Sequence, residues 1–324
     1  MVKQATARAC SNIAFIKYWG NRDETLKIPM NSSISMNLDG IYTETHVRWD
    51  DALASDELVL NHQKVTGQAL HRVSEHLSFI RNRLNINTFA YVESVNNFPM
   101  GAGIASSASS FAALTVAAVK ATGADLTERE LTSIARLGSG SASRSIPSGF
   151  VIWHQGHDHT SSYAESFAQP DYWDLVDVIA IISGEHKAVG SRMGHTSANT
   201  SDLQMARVNG AEERLRICQQ AIFDRDFSTF ADVVEYDSNL MHAVMMTSRP
   251  PLFYWLPTTL TVMDAVRHWR SEGVQVCYTL DAGPNVHCIC TRPYADVVAQ
   301  SLRAIAGVND VRMATVGGGA QLIK

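Results

Sequence analysis

Residues 96–109, Asn-Asn-Phe-Pro-Met-Gly-Ala-Gly-Ile-Ala-Ser-Ser-Ala-Ser, place two glycines and a run of small residues directly ahead of a helical pattern. Gly101 and Gly103 let the backbone approach an anion closely. Ser106, Ser107 and Ser109 offer hydroxyls. The Ala-rich helix expected from Phe111 to about Lys120 adds unpaired N–H groups and the positive end of its dipole. The segment reads as a phosphate cradle, with a Gly/Ser-rich helix cap as the plainer alternative. It is not a Walker loop, because no Gly-Lys-Ser/Thr follows, nor a completed G-x-G-x-x-G fingerprint.

The rest of the composition narrows the class. At 324 residues and 45% hydrophobic content, the chain can bury a large core as one body or two closely joined ones. A net charge of −5 argues against a nucleic-acid partner, so local basic residues must handle any anionic substrate. The five cysteines (Cys10, Cys218, Cys277, Cys288, Cys290) are scattered and form no C-x-x-C pair, which suits reduced core thiols. No apolar run approaches the ~20 residues that span a bilayer, and the expectation is a soluble cytoplasmic protein.

Periodicity supplies the organisation. The alternation from Ile41 to Trp49 and the stretch from Thr88 to Ser94 predict strands. Leu70, Val73, Leu77, Ile80 and Leu84 recur at helical spacing between them. Thr127 and Glu130 form a capping box that opens a helix to Leu137. Residues 176–182 read as an apolar run suited to a buried strand. Beyond it, helices are expected over 201–223, 226–246 and 259–272, with strands near 275–280, 286–291 and 311–316. The fold class expected is α+β.

Four constellations could carry chemistry. Asn12-Ile-Ala-Phe-Ile-Lys-Tyr-Trp-Gly20 sets Lys17, Tyr18 and Trp19 between an apolar strand and a glycine; a solvated strand end is the plain reading. Gly138-Ser-Gly-Ser-Ala-Ser-Arg-Ser145 surrounds Arg144, a bidentate grip for phosphate or carboxylate, with hydroxyls. Thr279-Leu-Asp-Ala-Gly-Pro-Asn285 puts Asp281 at a strand end, as a turn cap or as a base on a rigid support. His186-Lys-Ala-Val-Gly-Ser-Arg192 reads as a mobile basic loop able to close over phosphates. His154, His157 and His159 are read as solvated hairpin residues in preference to a metal site.

These segments, in this order, resemble the GHMP kinase superfamily and, within it, the mevalonate-pathway decarboxylases. The resemblance implies a GHMP kinase fold of two intimately joined α/β halves, 1–184 and 185–324, with the active site in the cleft between them. It implies ATP and Mg²⁺, a small-molecule substrate, no nucleic acid or membrane partner, and a homodimer. The implied reaction phosphorylates the 3-hydroxyl of a mevalonate phosphate, then expels phosphate and CO₂. Asp281, Lys17 and Arg144 take the catalytic positions. Asn12, Tyr18, Asn21, Ser139, Ser141, Ser191 and Arg192 join Arg144 on the substrate. Gly101, Gly103, Ser106, Ser107, Ser109 and Lys187 hold ATP, with Ser107 toward the metal. Related 3-kinases that stop at phosphorylation lack the Asp/Lys pair; this chain keeps both Lys17 and Asp281, so a full decarboxylase is expected, with a plain GHMP-type kinase as the nearest rival. The family usually continues Lys-Tyr-Trp-Gly-Lys, and its second lysine helps hold the substrate diphosphate; here that position is Asn21. The loss of one cation makes mevalonate 5-phosphate the expected preferred substrate, unless Arg22 replaces the charge and restores the 5-diphosphate.

Overall fold

A computed structural model describes residues 3–98, 106–184 and 190–323, and all their side chains except those of Ser106, Ser191 and Arg192. The longest strands, Lys3–Ile16 and Ser33–Asp50, run antiparallel through most of their length. They form the middle of an eight-stranded sheet that also takes in Phe89–Asn96, Phe150–Trp153 and the terminal strand Gln321–Ile323. Between Cys10 and Ser11 the register slips. A bulge of this kind turns a strand over. Ala7 and Ala9 therefore face one core, while Ile13 and Phe15 face another. The strand then delivers Lys17 to the junction of the two halves.

Helices Gln68–Leu84, Ser106–Lys120 and Glu128–Gly138 cover the outer face of this sheet. Ala108, Ala112, Ala113, Ala117 and Ala118 are fully buried, and their small side chains let the central helix lie close to the strands. The expected capping box forms: Thr127 accepts from the Glu130 amide and Glu130 accepts from the Thr127 amide.

A second sheet, ordered Val276–Thr279, Val286–Thr291, Leu175–Ile181 and Asp310–Thr315, is antiparallel throughout. One face packs against the first sheet and against helices Ala211–Asp224 and Phe227–Thr247. The other lies under helices Pro257–Ser271 and Ala295–Arg303. Cys288 and Cys290 point into that outer core, as packing residues.

Two expectations need correction. The helix expected over 201–223 is broken: Gln204–Asn209 and Ala211–Asp224 meet at Gly210, where a Cβ would lie 2.6 Å from the Arg214 guanidinium. The run at 176–182 is interrupted by a charge, Asp177, fully buried on the inner face. We propose that the join between the halves lies ahead of 184, since Leu175–Ile181 sits inside the second sheet and Gln321–Ile323 returns to the first. No helix among the described residues is long and apolar enough to cross a membrane.

Candidate active site

Lys17 leaves the first sheet and meets Asp281, which leaves the second. Their side chains bond at 2.8 Å, with Lys17 1% exposed and Asp281 26% exposed. The lysine is sealed from water, and the carboxylate opens to the space between the sheets. Burial pulls the Lys17 ammonium down from its ordinary range, while Asp281 and then Asp237 hold it up. Burial pushes the Asp281 carboxyl up, but Lys17, His287 and Arg144 outweigh it and keep the group below the usual carboxylate range.

Asp281 is held by its turn. The Asn285 side chain accepts from the amides of Ile182 and Ser183 at 2.7 and 3.1 Å. Thr259 donates to the Pro284 carbonyl, and the Ser238 hydroxyl accepts from the Leu280 amide. The segment after Lys17 is fixed by residues that sequence reasoning missed. Asp237 accepts the Lys17 amide at 2.6 Å and the Arg214 Nε at 2.6 Å. Arg207, 1% exposed, donates to the carbonyls of Lys17 and Trp19 and to Asn31. A buried arginine that spends its donors on backbone oxygens fixes the chain's path and leaves the lysine side chain free to serve the site.

Arg144 sits in a 3₁₀ turn, Gly140–Ser145, and is 3% exposed. Its Nε and Nη2 donate to Asn12 Oδ1, at 3.3 and 3.2 Å, and its Nη1 donates to Ser33 Oγ at 2.9 Å. Three of five N–H groups are then used, which leaves one on each terminal nitrogen for a planar anion. Burial lowers the guanidinium to about 10, so it stays charged at neutral pH. Asn12 also donates to the Ser141 carbonyl and the Ser145 hydroxyl, and so supports the arginine's loop. Ser139 Oγ lies 3.2 Å from Ser107 Oγ and 3.4 Å from Ser141 Oγ. This hydroxyl row links the start of helix Ser106–Lys120 to the arginine turn.

Tyr18 is buried, stacked on His195 at 4.1 Å and edge-on to Trp153 at 4.7 Å. Its hydroxyl donates to Asn21 Oδ1 at 2.5 Å, and Asn21 Nδ2 donates to Glu24 at 2.9 Å. Arg22 contacts His157 at 3.2 Å on the exposed surface. Ser109 is fully buried, and its hydroxyl lies 2.7 Å from Thr43 Oγ1, against the sheet. Gly101, Gly103 and Lys187 lie outside the described residues, as do the side chains of Ser106, Ser191 and Arg192. His154 pairs with Glu165 and His159 contacts Arg136, so with His157 on Arg22 each of the three histidines has its own neighbour.

The arrangement suits phosphate. Helix Ser106–Lys120 has no acidic residue in its first turn, and Ser107 and Ser139 present adjacent hydroxyls there. Such an end can hold the oxygens of an anion, and the Arg144 guanidinium can grip a carboxylate. An anion-facing helix end, a buried lysine–aspartate pair and two sheets meeting at the site define a GHMP-kinase-fold enzyme that uses ATP to drive a decarboxylation. The chain belongs to the diphosphomevalonate decarboxylase family. The diphosphomevalonate decarboxylase-like N-terminal domain matches residues 9–164, and the mevalonate 5-diphosphate decarboxylase C-terminal domain matches 177–320. Diphosphomevalonate decarboxylase mvd1 of Aspergillus fumigatus is 37% identical over 95% of this chain and 82% of its own length. The Rattus norvegicus diphosphomevalonate decarboxylase is 35% identical over 93% of this chain and 79% of its own. The crystal structure of mevalonate diphosphate decarboxylase from Staphylococcus aureus superposes with a TM-score of 0.96 at 38% identity, over 100% of this chain and 99% of that one. A structure of MDDEF in complex with MVAPP, AMPPCP and magnesium superposes with a TM-score of 0.94 at 34% identity, over 100% of both chains.

Proposed function

We propose that this chain catalyses the ATP-dependent decarboxylation of mevalonate 5-diphosphate to isopentenyl diphosphate. The observation that carries the reading is the Lys17–Asp281 pair at the seam of the sheets, with Arg144 within electrostatic reach of Asp281. Asp281 accepts the O3–H of the substrate and takes its proton as the γ-phosphoryl group of ATP arrives. The charge that lowers this carboxyl makes it a weak base, so its main contribution is to aim the hydroxyl. Lys17 offsets charge on the transferring group. The C3–O bond of the new phosphate ester then breaks and phosphate departs. The C1–C2 bond gives its electron pair to a C2=C3 double bond, and CO₂ leaves. Arg144, with two N–H groups to spend, holds the substrate's carboxylate. Ser107 and Ser139 would hold ATP phosphates and Mg²⁺, which supplies charge neutralisation across the phosphates.

The test is a parallel assay of ADP and CO₂ with mevalonate, its 5-phosphate and its 5-diphosphate. The expected result is CO₂ released in step with ADP, fastest with the diphosphate. ADP without CO₂ makes the chain a plain 3-kinase. A second reading, mevalonate 5-phosphate as the preferred substrate, follows from Asn21, which carries no charge and spends its amide on Tyr18 and Glu24. It finds no support in the relatives, which are named for the diphosphate. Asn21→Lys is expected to raise the diphosphate over the monophosphate in kcat/KM by about tenfold or more, the worth of one charge-assisted contact. A wild-type preference for the monophosphate would install the second reading.

Gly140→Ala tests the placement of Tyr18. Its Cβ would lie 2.6 Å from the Tyr18 ring, which has His195 and Trp153 behind it and cannot retreat. The KM for the phosphorylated substrate should rise about tenfold with little change in the KM for ATP, since a small displacement in a positioning group is costly. An unchanged substrate KM would remove Tyr18 from the site.

A further inference from the structure

Beneath the Lys17–Asp281 pair lies a second buried ion pair that the reaction above does not use. His287 Nδ1 and Asp177 Oδ2 are 2.6 Å apart, at 1% and 0% exposure. They lie on adjacent strands of the second sheet, with His287 opposite Ile179 and Asp177 opposite Ile289, so both face the first half. On its other side His287 is opposite Thr279, two residues before Asp281. A fully buried carboxylate is costly unless countercharged, and His287 is bonded to it. His287 Nε2 has no hydrogen-bond partner, so its charge reaches Asp281 through space and not by contact.

We propose that the His287–Asp177 pair is a positioning pair for Asp281: its buried imidazolium keeps the Asp281 carboxylate ionised and turned toward Lys17. This rests on the role given to Asp281 above. The charged groups acting on His287 come from three elements: Asp177 on the neighbouring strand, Asp281 at the end of Val276–Thr279, and Lys17 at the end of Lys3–Ile16. Burial pulls the imidazole down, and Asp177 then Asp281 more than restore it, so it sits above the ordinary histidine range. His287 acts on Asp281 in turn, second only to Lys17 among the charges that lower that carboxyl. From helix Phe227–Thr247, His242 faces the same site, but burial and then Lys17 lower it to about 3, so it is neutral and does not compete.

Two arms test the pair. In the first, histidine-labelled protein is titrated by NMR, with the His287 signal assigned by its loss in the Asp177→Asn/His287→Gln protein. Because coupling between two sites is reciprocal, Asp281→Asn should lower the His287 midpoint by about 0.5 in pH or more. In the second, the Asp177→Asn/His287→Gln protein keeps a hydrogen-bonded pair and removes both charges. The acidic limb of kcat/KM should then move up by about 0.5 in pH, because the carboxyl protonates more easily without its neighbour. His287→Lys, which keeps the cation, should return the limb to its wild-type position. A His287 titration indifferent to Asp281→Asn overturns the proposal. So does a neutral pair that lowers Tm and kcat while the limb stays in place, the behaviour of a merely structural pair. If no phosphorylated mevalonate is turned over, the proposed function fails on its own, and the NMR arm still decides this one.

Discussion

Asp281→Asn is expected to lower kcat by about a thousandfold, within the range for loss of a positioned acid–base group, and to leave ATP affinity nearly unchanged. The substitution keeps the shape of the side chain and its reach to Lys17. What it removes is the ionised oxygen that aims the substrate hydroxyl and the charge that holds Lys17 protonated against its burial. Lys17 keeps Asp237 nearby, whose carboxylate accepts its amide, so the lysine does not become an isolated buried charge. The loss should therefore fall on kcat more than on Tm. The nucleotide end lies across the hydroxyl row of Ser107 and Ser139, on a different element, and has no reason to respond. Retention of more than about a tenth of wild-type kcat would exclude Asp281 from the chemistry, because that is less than the low end of what such groups contribute.

The residues proposed to touch reactants were legible in the sequence because their neighbours are unusual. A lysine closing an apolar strand, an arginine among four serines and an aspartate before Gly-Pro each break a pattern, and the structure brings Lys17, Arg144 and Asp281 into one electrostatic neighbourhood. Ser109 faces the sheet for a geometric reason. Two residues along a helix is about 200° around it, so Ser107 and Ser109 face opposite ways, one to the site and one to the sheet. Asn21 has a role that counting charge does not show: its amide is built into the support of Tyr18. The supporting charges were harder to see. Asp237 stands in an apolar stripe with Phe230, Val234 and Met241, and Asp177 stands in an apolar strand. Each is a polar residue where periodicity demands an apolar one, and that mismatch is the signal that could have found them. Their partners could not be found this way, since Arg214 and His287 are joined to them only by the packing of separate elements.

Replacing Arg144 with lysine should damage the enzyme nearly as much as replacing it with alanine. The guanidinium is committed on one side, where Asn12 and Ser33 take three of its N–H groups, and it lies over the Trp153 ring at 5.8 Å. These contacts fix the plane of the group, so the two remaining N–H groups point in a set direction toward a planar anion. Lysine brings the charge but neither the plane nor the paired donors. It would also leave the Asn12 oxygen and the Ser33 hydroxyl competing for a single ammonium in a site closed to water. A fall of about a hundredfold in kcat/KM is expected for Arg144→Lys, the worth of two lost charge-assisted bonds, with the alanine variant lower by no more than about tenfold again. The Asn12→Ala variant separates support from contact: it should lower kcat/KM less than Arg144→Lys, because it loosens the arginine without removing it. If Arg144→Lys keeps near-normal kcat and KM, the guanidinium serves only to hold its serine-rich turn, and the substrate carboxylate must bind elsewhere in the cleft.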